Sequence, residues 1–103
     1  MKITLKFLKE KDACDEGLNW YRKQESKEVM DLLKALIKQK QHVWAEWLMR
    51  NAFNPDQFIR YRDYDSKLLR TTIYSHAYIR DLVMQYGLSL IKEGIHENNF
   101  GLS

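Results

Sequence analysis

Apolar residues recur along most of the chain at three- and four-residue intervals, the period of helices that bury one stripe and wet the other. The pattern is clearest between Ser26 and Lys40. Ser26 is placed to cap a helix in which Val29, Leu32, Leu33, Leu36 and Ile37 form the apolar face, while Lys34, Lys38 and Lys40 fall off it. Val43, Trp44, Trp47 and Leu48 repeat the spacing over a shorter stretch that exits through Asn51 to Asn54. Asn54-Pro55 is a start signal, Asn as cap and Pro in the first helical position, for a short turn or helix carrying Phe58 and Ile59. After Asp65 the spacing predicts a longer helix through Leu69, Ile73, His76, Val83 and Leu90, stopped by Gly94 as the residue just past its end.

The first residues are more ambiguous. Ile3, Leu5 and Phe7 alternate with Lys2, Thr4 and Lys6 as in a strand, but no second strand pattern exists for them to pair with, so a helix is the better reading. Thr4 then serves as its cap, with Ile3 and Leu8 at the positions of a hydrophobic staple. Asp12 is expected to cap a second helix, in which Asp15 and Glu16 complement the dipole. Cys14, Gly17, Leu18 and Tyr21 share one face of it, Gly17 admitting a close backbone and Cys14 expected to be buried and inert. These elements predict an all-α fold, a small bundle of four or five short helices, in one domain over residues 1–94 followed by a frayed tail over 95–103. Its expected core is Leu8, Leu18, Val29, Leu32, Leu36, Val43, Trp47, Ile73 and Val83.

Composition narrows the class. The chain has 103 residues, room for one hydrophobic core, and is 45% hydrophobic and 30% charged. No apolar run approaches the roughly 18 residues of a membrane span, and the first residues lack the uninterrupted apolar stretch of a signal peptide. The lone Cys14 suits a reducing compartment, and a cytoplasmic protein with no membrane partner is expected. Net charge is +3, and the basic excess lies mid-chain: from Lys34 to Arg70 there are eight basic and four acidic residues.

One stretch resembles something known. Phe7-Leu8-Lys9-Glu10-Lys11-Asp12-Ala13-Cys14-Asp15-Glu16-Gly17-Leu18-Asn19-Trp20-Tyr21, followed by Trp44-Ala45-Glu46-Trp47-Leu48, is similar to a pattern in small phage and prophage proteins, where an Asn/Asp-Ala-Cys-x-x-Gly-x-x-Trp segment precedes a Trp-Leu-type helix. The resemblance covers the first half of the chain and implies a mobile-element origin, with the cytoplasm of a bacterial host as the site of action. By analogy with anti-CRISPR proteins it implies an inhibitor of a bacterial defence complex.

Catalytic chemistry finds little footing. Cys14 has no neighbouring His. His42, His76 and His96 lack the paired spacing of zinc ligands, and His76 reads as a core histidine of the last helix. Asp63 and Asp65 have Arg62 and Lys67 beside them for surface pairing, and no glycine-rich phosphate loop is present. No catalytic residue, metal, cofactor or small-molecule substrate is therefore expected. Gly17, Trp20 and Trp47 read as a helix-to-helix contact.

Binding is the remaining class. Arg60, Tyr61, Arg62 and Tyr64 interleave bases and rings in an expected loop, and Arg70, Tyr74 and Tyr78 follow at helical spacing. Tyr and Arg are the residues in which binding hot spots are enriched. The expected function is thus a protein-binding module that inhibits by occlusion through this region, its target a protein such as a defence nuclease complex. The alternative is a basic helical nucleic-acid-binding domain or small transcription regulator, with Lys34, Lys38, Lys40, Arg60, Arg62, Lys67 and Arg70 on phosphates.

Overall fold

The computed structural model describes residues 1–70 and 76–102, and in the last helix the side chains of residues 77–94. Six helices are present among them: α1 (Leu5–Glu10), α2 (Asp15–Arg22), α3 (Val29–Lys38), α4 (His42–Ala52), α5 (Pro55–Leu69) and α6 (His76–Leu102). The fold is all-α and small, with short connections. The main packing joins α3 to α4 and α6, α4 to α6, and α5 to α6, so α6 is the element on which the other three assemble. Val29, Leu33, Met49, Tyr61, Met84 and Leu90 are fully buried where these helices meet.

Local chemistry accounts for the boundaries. Thr4 caps α1 as expected, its hydroxyl accepting the Phe7 N–H at 3.0 Å. Asn54 and Gln57 form a reciprocal capping box at the start of α5, with Pro55 in the first turn. That start leads into 15 residues of helix rather than a short turn, because Gln57, Tyr61, Tyr64 and Leu68 recur at helical spacing and turn inward. The Arg60 to Tyr64 run is therefore helix, not loop, and the helix expected to begin after Asp65 is in fact two: Leu69 ends α5, and Val83 and Leu90 belong to α6. Ile73, expected in the core, lies outside the described residues.

Three further expectations change. The cap of α3 is Glu28, although Ser26 still ties its first turn through a 2.6 Å hydrogen bond to Asp31. The extended start of the chain does find a partner: Lys2 and Glu28 form an isolated antiparallel bridge, with Ile3 N–H on the Lys27 carbonyl (2.8 Å) and Val29 N–H on that of Met1 (2.9 Å). A single pair of this kind leaves no alternating signature in the partner segment. Gly94 does not stop the last helix but lies inside it, where a Cβ would sit 2.5 Å from Nε2 of buried Gln57. That amide donates to the Leu90 carbonyl at 2.7 Å.

Of the expected core, Leu8, Leu18, Val29, Leu32, Leu36 and Val83 are buried. Val43 is 78% exposed and Trp47 only half-buried, because the apolar face of α4 that turns inward is Ala45, Leu48 and Met49.

The junction of α4, α5 and α6 is polar at its edge. The Glu46 carboxylate accepts from the Tyr61 hydroxyl at 3.1 Å and from Arg80 at 2.6 Å, and Arg50 lies 3.4 Å away. Burial pushes the Tyr61 phenol above its ordinary range, and the charge of Glu46 adds to the shift. Deeper in, a Cβ on Gly87 would lie 2.5 Å from Met49 Sδ and 3.1 Å from the Tyr61 ring.

Gly87→Ala is accordingly expected to lower stability. Overpacking of a filled core costs about 1–3 kcal/mol, of which the better helix propensity of Ala returns at most about 1 kcal/mol; equilibrium urea unfolding reads the difference. A second expectation follows from Tyr61. The folded chain holds its phenolic proton more tightly than the unfolded chain does, so the linked stability is intact below about pH 10 and is lost as pH rises beyond it. Unfolding midpoints measured from about pH 8 to about pH 11 should fall less steeply for Tyr61→Phe than for the native chain.

Candidate binding pocket

Two helix-ending turns of the same kind shape the N-terminal half. After α1, Asp12 adopts a left-handed backbone (φ 60°), its N–H on the Lys9 carbonyl (3.1 Å) and that of Ala13 on the Leu8 carbonyl (3.0 Å). After α3, Lys40 does the same (φ 60°), with Lys40 N–H on Ile37 (3.0 Å) and Gln41 N–H on Leu36 (2.8 Å). Both are Schellman turns made without glycine. Asp12 thus closes α1 instead of capping α2, and the cap of α2 is Cys14, whose Sγ accepts the Gly17 N–H at 3.4 Å. Cys14 is exposed, contrary to the expected packing role, because a cap residue stands ahead of the helical face that carries Leu18 and Tyr21 inward.

Two contacts near the C-terminal end of α2 tie it to the segment before α1 and to the end of α3. The Tyr21 hydroxyl donates to the Ile3 carbonyl at 2.5 Å, and Trp20 Nε1 donates to Gln39 at 3.0 Å. Between these ties an open pocket of about 220 Å³ remains. Buried Ile3, Leu8, Leu32, Leu36 and Leu48 line its depth, and all three tryptophans of the chain, Trp20, Trp44 and Trp47, line it from half-buried positions. Asp12, Ala13, Cys14, Gly17, Tyr21 and exposed Val43 complete it. Gly17 admits no close backbone, since a Cβ there would meet only Cys14 Sγ, at 3.4 Å. Its missing side chain is part of the pocket's volume.

Among the described residues, two of the tyrosines expected to bind partners turn inward. Tyr61 is fully buried in the α4–α5–α6 junction, and Tyr64 is half-buried with its ring 4.3 Å from that of Tyr86. The rings turn inward because α5 is helical through this run and packs them on α6. Arg60 is paired with Glu93 at 3.3 Å, Arg62 and Arg70 are exposed, Tyr78 is half-exposed, and Tyr74 lies outside the described residues. The basic set is exposed but divided. Lys34, Lys38 and Lys40 lie on α3 and its C-terminal turn, while Arg60, Arg62, Lys67 and Arg70 lie along α5. His76 begins α6, and His96 lies in it without a described side chain.

Gly17, Trp20 and Trp47, expected to form a helix-to-helix contact, line the pocket. Ala13, Cys14, Trp44 and Leu48 converge on it with them. The signal was visible in the spacing, but small and aromatic residues at helical intervals also describe a filled helix contact.

Among the described residues no group of three His, Cys, Asp or Glu is gathered as for a metal ion, and no helix is long and apolar enough to cross a membrane. Comparison with protein-family models, curated proteins and solved structures gives no match to the chain.

The capping role of Cys14 sets an order of stabilities. Sulfur is a weak acceptor, so Cys14→Ser should equal or exceed the native chain, whereas Cys14→Ala should fall below the Ser variant by about 1 kcal/mol. Thermal unfolding of the three chains checks the order. The folded thiol should react with a thiol reagent at nearly the rate of the unfolded chain.

Proposed function

We propose that this chain is a non-catalytic protein-binding module that takes an apolar anchor side chain of its partner into the tryptophan-lined pocket. The observation that carries this reading is the pocket: open, apolar in depth, and lined by residues of α1 to α4 and the turns between them. Its roughly 220 Å³ lies below the range of about 300–1,000 Å³ common for small-molecule sites and suits one large side chain. Burying a Leu, Phe or Met there contributes about 1.5–3 kcal/mol, the scale of an interface hot spot.

The resemblance to small phage and prophage proteins rests on residues that line this pocket. It supports the narrower reading that the module inhibits a bacterial defence complex by occluding a surface. The contact then lies at the α1–α2 end of the molecule and not along Arg60 to Tyr78.

Filling the pocket from within is the test. Gly17→Leu puts a side chain into the space a partner's anchor would occupy and replaces a helical glycine, so the melting temperature should hold or rise. Affinity retention from bacterial lysate, compared between native and Gly17→Leu chains, should lose the specific partner with the filled variant. Ile59→Ser, on exposed α5, should keep it. In a titration with the recovered partner the filled variant should bind at least about tenfold more weakly, equivalent to about 1.4 kcal/mol. Undiminished binding by Gly17→Leu overturns the proposal. Binding to DNA or RNA that collapses with added salt and with loss of Lys34, Lys38 and Lys40 replaces it with the nucleic-acid reading.

A further inference from the structure

Among the described residues that line the pocket, Asp12 is the one that carries charge. It is exposed, and its carboxylate makes no hydrogen bond or ion pair with any described residue. The Schellman turn fixes its backbone through two hydrogen bonds, so an exposed acidic residue is set into the lining of the pocket. Lys9 and Lys11, its basic neighbours in sequence, do not line the pocket, while Asp15 and Glu16 follow in the exposed first turn of α2. The tryptophan walls favour the same sign of ligand charge, since an aromatic ring attracts a cation and gains nothing from an anion.

We infer that the partner's docking segment joins its apolar anchor to a basic group, an arginine or lysine beside a large apolar residue, which Asp12 receives as the anchor enters the pocket. The inference rests on the binding reading above and specifies the partner's chemistry: a protein segment that is apolar and basic together. An anchor flanked by Asp or Glu would bring a second negative charge to Asp12 without a counterion in the pocket wall. Charge complementarity of this kind selects among partners more than it adds affinity.

Small probes separate the two claims. The full chain, labelled with ¹⁵N, is titrated with 2-phenylethylammonium, with its near-isostere 2-phenylethanol and with 3-phenylpropanoate, and the indole N–H signals of Trp20, Trp44 and Trp47 are followed. The ammonium should bind about threefold more tightly than the alcohol, the range of an exposed ion pair, and the propanoate more weakly than either. Added salt should narrow the spread. Asp12→Asn, which keeps a residue tolerant of the left-handed backbone, should preserve the fold and the alcohol's affinity while abolishing the ammonium's advantage. Equal binding of alcohol and ammonium, or an advantage that survives Asp12→Asn, overturns this inference and leaves the pocket reading standing. Indole signals that respond to none of the three overturn both.

Discussion

The body of the molecule depends on the close approach of three helices at Gly87. With no side chain there, the Met49 thioether from α4 and the Tyr61 ring from α5 reach the backbone of α6 and are sealed from solvent. The same arrangement recurs seven residues on, where Gly94 leaves room for Gln57. Seven residues are two helical turns, so both glycines open on one face of α6, and Gln57 and Tyr61, one turn apart on α5, fill the two openings in antiparallel order. The polar ends of these fillers are not wasted in the core. Gln57 completes the α5 cap and holds the Leu90 carbonyl, while Tyr61 meets the Glu46 carboxylate that Arg80 and Arg50 also reach.

That packing leaves α1 and α2 a different task. They have six and eight residues, too short to form without tertiary support. The support comes at their edges: the bridge between Lys2 and Glu28, the Tyr21 hydroxyl on Ile3, the Lys27 ammonium on the carbonyls of Tyr21 and Gln24, and Trp20 on Gln39. Elements tied at their margins and bounded by two rigid turns need not close over what lies between. The pocket is the geometric remainder, and it persists because its walls are anchored elsewhere.

Much of this was legible in the residues alone. The spacing of Val29, Leu32, Leu33 and Leu36 located α3, Thr4 and Asn54 located two helix starts, and the all-α class followed from their repetition. What could not be read had specific causes. Tyr61 and Tyr64 looked like surface rings because Arg60 and Arg62 flank them, yet on a helix residues three apart share a face, and the face that carries both rings is the one packed inward. Gly94 looked like a helix stop because glycine commonly follows a helix, and only the position of Gln57 on another helix reveals its packing role. The cap of α2 fell on Cys14 instead of Asp12, a shift of two positions that moved a thiol from an expected interior to the surface.

The site itself was hidden by a deeper ambiguity. A glycine three residues before a tryptophan, facing two more tryptophans at helical spacing, describes equally a filled interface and an unfilled one, since both need a small residue opposite large rings. The distinction lies in the distance between the backbones, and that is set by residues outside the pattern. Here the two left-handed turns at Asp12 and Lys40 fix where α2 and α4 begin, and Gln39 holds Trp20 at the pocket's edge. At the α5–α6 end the tyrosines are consumed in holding helices together. The open pocket lies among the residues whose spacing most resembled a core.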